Sequence, residues 1–384
     1  MNSLEILDRL IRYSTVSRDS NLDLIDFVAD YLRQCGGAPA LITSEDGKKA
    51  NLFATIGPRD VPGVMLSGHT DVVPVDGQTW STAPFRLTRA GSRLHGRGTA
   101  DMKGFLACAL AVADQASKTK LKTPLHLAFS YDEEVGCLGV RSMIADLRTS
   151  AWQPLLCIVG EPTSMQVATG HKGKVALCAV CRGREGHSAL APHALNAIHL
   201  GCDFVGVLRG EQDRLECKGA RDSDYDVPYT TVHVGKISGG VALNIVPNEC
   251  RIDFEIRNIA ADDPDDIIER VHEGARQIVS QRSAFPEAAI DLKIVNAYPG
   301  LDTPKTSAAV ALVQSLTGSH STQKMAFGTE GGLFSRDLAI PTVICGPGSM
   351  AQGHKPDEFV EVEQLELCDR MLGALLARLE TGIQ

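Results

Sequence analysis

His69 and Asp71 stand just beyond the short apolar run Gly63-Val64-Met65-Leu66-Ser67. Glu133 and Glu134 follow LHLAFSYD, Glu161 follows LLCIVG, and His354 comes a few residues after TVICGPG. Asp101 lies in GRGTADMKG, immediately before a helical stretch. Imidazole and carboxylate are the donors that hold zinc-like divalent ions. Two histidines and three carboxylates, with one carboxylate shared, give two ions three protein ligands each and leave positions open for water. In such centres the ions stand about 3.5–4 Å apart.

Each residue has a plainer reading by itself. Aspartate is a favoured helix N-cap, a lone histidine is usually a hydrogen-bonded structural residue, and tandem glutamates usually belong to a solvated loop. Joint occurrence at strand ends favours the metal reading, because ligands of open α/β sheets bind at the carboxyl ends of the strands. The spacings also have mechanical sense. Residues i and i+2 of an extended chain point the same way, so Asp71 is placed to accept a hydrogen bond from the non-ligating ring nitrogen of His69. The adjacent Glu133 and Glu134 point apart, so one can bind metal while the other addresses the attacking water; spacing alone leaves open which does which.

The elements that must position these groups fall into two patterns. Strands at 63–67, 125–131 and 155–159 alternate with a helix at 102–117, which implies a mostly parallel sheet covered by helices. From Lys174 the order becomes β-α-β-β-α-β: a strand at 174–182, a helix at 192–210, strands near 230–237 and 245–257, a helix at 264–282 and a strand near 289–297. Beyond Gly300 come a helix near 305–317, a strand at 341–345 and an amphipathic helix at 361–380. The expected fold class is therefore α/β, with residues 1–173 and 299–384 forming the metal-binding domain and residues 174–298 an inserted α+β domain.

Bulk properties exclude some partners. A net charge of −9 offers no basic surplus for nucleic acid or anionic membrane. No apolar run approaches the roughly 18 residues of a membrane span. The N-terminus reads as an amphipathic helix with Leu4, Ile6, Leu7, Leu10 and Ile11 inward, not as a signal peptide. Eleven scattered cysteines suit a reducing cytoplasm. Cys178 and Cys181 form a CxxC within an alternating strand, where residues three apart face opposite sides; buried cysteine is the reading there.

The stretches SGHTDVVP, GRGTADMKG, DEEVG, GEPT and GPGSMAQGHKPDEFV resemble the zinc-dependent aminoacylase/carboxypeptidase family of metallopeptidases. The resemblance implies two divalent ions, zinc or cobalt, with His69, Asp101 and Glu161 on one, Asp101, Glu134 and His354 on the other, and Asp101 bridging. It makes Glu133 the general base; Asp71, read from its spacing as the partner of His69, is counted with it as catalytic. The inserted domain is then a lid that also forms a homodimer. His187 in GREGHSALAP would reach the partner's active site, and Asn244 and Arg257 would contact a small-molecule N-acyl amino acid. PFRLTRAGSRLHGRGTADMKGFLA and FGTEGGLFSRDLAIPTVICGPGS are most similar to the branch that deacetylates N-acetylornithine in arginine biosynthesis. Glu330, if near the pocket, would suit a cationic side chain.

Other signatures fail. GHSAL lacks the second glycine of a nucleophile elbow, and neither GRG nor GHKGK has the register of a dinucleotide or phosphate loop. The alternatives are another deacylase of the same family (a desuccinylase, an N-acyl amino acid amidohydrolase or a dipeptidase) and a non-catalytic binding relative. The latter is expected to lose ligands, and none is missing.

Overall fold

The computed structural model describes residues 1–149 and 154–383. The chain divides into two compact units. One comprises Met1–His171, Leu301–Met325 and Thr329–Gln384, and the other Lys172–Gly300 with Ala326–Gly328.

The first unit is built on a nine-stranded sheet. Its order begins Ala40–Thr43, Ala50–Ile56, Leu125–Ser130, Val64–His69 and Leu156–Val159, and continues Thr342–Ile344, Val167–His171 and Leu301–Asp302; Thr322–Met325 also pairs with Val167–His171. Pairing is parallel from Leu125–Ser130 through Val64–His69 and Leu156–Val159 to Thr342–Ile344. Both flanks are antiparallel, except where Thr322–Met325 joins. The α/β class holds, but the sheet is mixed, with parallel pairing concentrated at its centre. Central strands buried on both faces need apolar or small residues throughout, and VMLSGH and LHLAFS are buried at every position.

The helix Gly104–Ala116 is apolar almost all round and nearly wholly buried, as a helix between a sheet and other helices must be. Ser3–Ile11 and Val362–Thr381 pack against it. Ser3–Ile11 starts with a capping box: the Glu5 N–H donates to Asn2 Oδ1 at 2.9 Å and the Asn2 N–H to Glu5 Oε2 at 3.0 Å. Ile6, Leu7, Leu10 and Ile11 face the core; Leu4, expected inward, is exposed.

In the second unit the strands Thr231–Gly239, Glu249–Arg257, Lys174–Arg182 and Ala289–Tyr298 form an antiparallel sheet in that order. The helices Ala197–Lys218 and Pro264–Ser280 bury one face of it, meeting Val175, Leu177, Ala179 and Cys181. Cys178 points to the opposite face, so the CxxC is two separated thiols, and all eleven cysteines are free. Among the described residues no helix is long and apolar enough to cross a membrane.

Candidate metal centre

His69 ends the central strand Val64–His69, and Glu161 lies two residues beyond its parallel neighbour Leu156–Val159. Two glycines let the turn carrying Asp101 approach these strand ends. A Cβ at Gly68 would stand 2.6 Å from Met102 Cε, and one at Gly160 would overlap the Phe105 ring. Thr99–Lys103 is a separate tight turn before the helix, so Asp101 is not that helix's N-cap.

The side chain of Asp101 is buried between two imidazoles. Its Oδ1 is 3.1 Å from His69 Nε2 and its Oδ2 is 3.1 Å from His354 Nε2. Glu161 Oε1 lies 3.7 Å from His69 Nε2, and Glu134 Oε2 lies 3.1 Å from His354 Nε2. A carboxylate with one oxygen turned to each of two histidines, each histidine having its own further carboxylate, is a donor set for a pair of divalent cations. Ligand atoms of His69, Asp101 and Glu134 all lie within 4.8 Å of one another, and so do those of His69, Glu133 and Glu161. Distance therefore leaves Glu133 able to serve as ligand or as base.

The electrostatics fit the same cations. Burial pushes the carboxyls of Glu133 and Glu161 well above their usual range, with neighbouring carboxylates adding to the effect. Glu134 rises to about 7, chiefly by burial and then through Asp101. Burial acts upward on Asp101 too, but hydrogen bonds from His354 and His69 outweigh it and hold that carboxyl below its usual value. Hydrogen bonds to Asp101 and Glu134 lift His354 to about 10. His69 is also raised, its carboxylate neighbours overcoming burial. So many buried carboxylates cannot all ionise beside two imidazoles, and two dications would supply the missing positive charge.

Asp71 differs from the expectation drawn from its spacing. His69 Nδ1 donates to the backbone carbonyl of Asp71 at 2.8 Å, while the nearest carboxylate oxygen is 3.6 Å away, beyond hydrogen-bond range. A carbonyl only accepts, so Nδ1 carries a proton, and a metal displacing the proton from Nε2 would find its lone pair there. The carboxylate serves the neighbouring loop: Oδ1 accepts from the Glu133 N–H at 3.1 Å, and Oδ2 from the Glu134 N–H at 3.3 Å and Ser17 Oγ at 2.7 Å. Cys137 Sγ donates to Glu133 Oε1 at 3.4 Å. Neither Ser17 nor Cys137 carried a sequence signal, apart from the position of Cys137 in the DEEVGC stretch.

Glu330 is 1% exposed. It lies near Ser67, Ser130 and Glu133, and burial lifts its carboxyl to about 7. Glu330 therefore stands beside the donor cluster as a buried acid, as deeply covered as Asp101 and Glu161. His187, Asn244 and Arg257 belong to the second unit. His187 and Asn244 are exposed and neighbour each other: His187 pairs with Ile245, and the Ser188 N–H donates to the Asn244 carbonyl at 3.0 Å. The Arg257 guanidinium is held by Glu255 at 3.0 and 3.3 Å and by Tyr298 Oη at 3.1 Å. A recess of about 500 Å³ in the second unit, lined by His233, Lys236, Arg251 and Asp253 among others, contains none of the clustered donors. Donor chemistry, rather than cavity size, locates the centre.

The fold is shared by solved metallopeptidases. The metallo-carboxypeptidase Sso-CP2 of Sulfolobus solfataricus superposes with a TM-score of 0.80 at 18% identity, covering 99% of both chains. The YXEP protein of Bacillus subtilis, described as a dinuclear metal binding peptidase, gives 0.68 at 15% identity over 99% of this chain and 98% of its own. Residues 65–378 match peptidase family M20/M25/M40. Acetylornithine deacetylase of Pasteurella multocida is 32% identical over 387 residues, 99% of this chain and 98% of that one. The acetylornithine deacetylase of Shigella sonnei is 33% identical over 365 residues, 93% and 92% of the two chains. The protein is thus a metal-dependent hydrolase of the amidohydrolase and deacylase kind. It belongs to peptidase family M20/M25/M40.

Proposed function

We propose that the protein hydrolyses the N2-acetyl amide of N-acetyl-L-ornithine to L-ornithine and acetate, as a step of arginine biosynthesis in the cytoplasm. The observation that carries the substrate is the near full-length likeness to two acetylornithine deacetylases. The observation that supports the chemistry is Asp101, whose two oxygens face His69 and His354 separately.

His69, Asp101 and Glu161 would hold one divalent ion, and Asp101, Glu134 and His354 the other. Zinc suits this nitrogen–oxygen set, and cobalt is accommodated by the same donors. When bound, the ions would polarise the amide carbonyl and acidify the attacking water. Glu133, ionised once the two cations offset the charge of its neighbours, takes a proton from that water and returns it to the departing nitrogen. The acyl carbon gains the water oxygen, the C–N bond breaks, and the amine leaves neutral before protonation in solvent. Asp71 holds the Glu133 and Glu134 amides, and Cys137 orients the Glu133 carboxylate.

The second unit is assigned as lid and homodimer interface. There His187 reaches the partner's site, and Asn244 and Arg257 contact the substrate. Because Glu255 already grips Arg257, the substrate carboxylate would share that guanidinium.

A panel of N-acetylornithine, N-acetylmethionine, N-succinyl-diaminopimelate and a dipeptide, assayed with metal-reconstituted protein, tests the assignment. The highest kcat/KM is expected for N-acetylornithine. Preference for the succinyl compound or the dipeptide would sink it.

A further inference from the structure

Behind Asp101 and His354 runs a chain of polar side chains that the ligand assignment does not use. Glu358 is 1% exposed. Its Oε1 accepts from the backbone N–H groups of Ala100 at 2.9 Å and Asp101 at 3.1 Å, and its Oε2 accepts from Arg97 Nη1 at 2.6 Å. Arg97, equally buried, donates from Nη2 to Gln78 Oε1 at 2.7 Å and lies over the Trp80 ring. Gln78 then donates from Nε2 to the backbone carbonyl of His354 at 3.0 Å. One end of this chain holds the backbone of Asp101 and the other the backbone of His354, whose side chains meet at 3.1 Å.

Two further observations point to placement as its purpose. His354 has φ +61°, a left-handed conformation that a β-carbon disfavours, so something must hold it. The loop just after His354 is tied to the same stretch of chain: His95 Nδ1 donates to the Asp357 carbonyl at 3.0 Å, the Ser81 N–H to Asp357 Oδ1 at 2.8 Å, and the Gly96 N–H to the Glu358 carbonyl at 3.0 Å. A buried Arg–Glu pair is also a poor device for stability alone, since apolar residues of like volume commonly do as well. What such a pair supplies is a fixed direction, here for two groups 253 residues apart in sequence.

We propose that Gln78, Arg97 and Glu358 are positioning residues that preset Asp101 against His354, and thereby set the affinity of the metal position those two residues share with Glu134. This rests on the metal assignment of the proposed function. Groups that hold a ligand in place typically change metal affinity by roughly ten- to a hundredfold. In the Gln78 variants, which act on His354, the metal position of His69 and Glu161 is expected to change little.

The test is titration of metal-free wild type, Gln78→Ala, Gln78→Glu and Glu358→Gln with Zn²⁺ by calorimetry, and with Co²⁺ by visible absorption. Wild type is expected to take two equivalents. In Gln78→Ala one equivalent should weaken at least tenfold with a changed Co²⁺ spectrum, the other staying within threefold. Gln78→Glu keeps the acceptor for Arg97 but replaces the donor to His354 by a carboxylate oxygen facing its carbonyl, so it should fall with Gln78→Ala. Gln78 is half-buried, so these two variants carry the test even where Glu358→Gln unfolds. Wild-type affinities and spectrum in Gln78→Ala, or their recovery in Gln78→Glu, would overturn the positioning role and leave the metal site standing. A wild type that binds no metal would overturn the site assignment itself.

Discussion

Replacing Asp71 by asparagine separates two explanations for an acid buried beside His69. The carboxylate is 3.6 Å from the imidazole but accepts the Glu133 and Glu134 amides and the Ser17 hydroxyl. Asparagine offers one carbonyl oxygen, which can keep one amide, while its NH₂ confronts the other amide donor to donor. Ser17 can turn to accept from that NH₂. The variant therefore loses about one charge-assisted hydrogen bond, worth ~1.5–3 kcal/mol. If that loss appears in the placement of Glu133 and Glu134, kcat/KM for N-acetylornithine falls roughly 10- to 150-fold, at 1.36 kcal/mol per tenfold. Metal affinity at the His69 position should hold, because the acceptor for Nδ1 is the backbone carbonyl, which the substitution leaves in place. The measurements are steady-state kinetics and zinc titration on the same preparation. Weak zinc binding with kcat preserved in the loaded enzyme would refute the reasoning and return Asp71 to the imidazole.

Glu133→Gln should bind two metal equivalents yet lose a factor of about 10²–10⁴ in kcat, since an amide cannot accept the proton; turnover near wild type would reassign the base. Chelation should abolish activity and lower Tm, with zinc or cobalt restoring both. A ligand at a hundredfold its Kd adds about 2.7 kcal/mol of stability, so an unchanged Tm would count against structural coupling of the site. Burial holds the His126 imidazole at about 4, beside Thr55 and stacked on Phe53. Between pH 6.5 and 4 the unfolded chain binds a proton there that the folded chain refuses, so stability falls as pH falls through that window. The difference of 6.5 − 4 = 2.5 units corresponds to about 3 kcal/mol by pH 4. Urea titrations should show a shallower acid decline in His126→Gln, and parallel declines would refute the assignment.

The gathering of His69, Asp101, Glu134, Glu161 and His354 was legible because apolar runs mark strands, and parallel strands deliver the loops at their carboxyl ends to one edge of the sheet. The antiparallel flanks were not: pairing direction depends on which strands become neighbours, and Ala50–Ile56 reads as apolar in either orientation. The bonding of Asp71 was misread because the i, i+2 rule needs an extended chain, and the strand ends at His69. The depth at which Glu330 is buried was not legible either: it comes from the helix Gly331–Leu338, which begins there and is buried along most of its first turn. The role of Glu358 was not legible, because nothing local reveals that a carboxylate receives two amides from residues more than 250 positions earlier.

The strand Thr342–Ile344 lies between Leu156–Val159 and Val167–His171, although the whole second unit is made before it. A chain emerging from the ribosome as far as Gly300 already carries His69, Asp101, Glu134 and Glu161, yet its sheet has a vacant slot, and His354, the imidazole that Asp101 and Glu134 share, does not exist. From Glu161 to His354 is 193 residues, roughly 10–40 s of synthesis at about 5–20 residues per second. During that interval Asp101, Glu134 and Glu161 have only His69 among them, and two strand edges wait for the same insert. Completion of the centre is therefore coupled to the arrival of the C-terminal segment, so a truncated chain carries most of the donors but lacks the position that His354 completes.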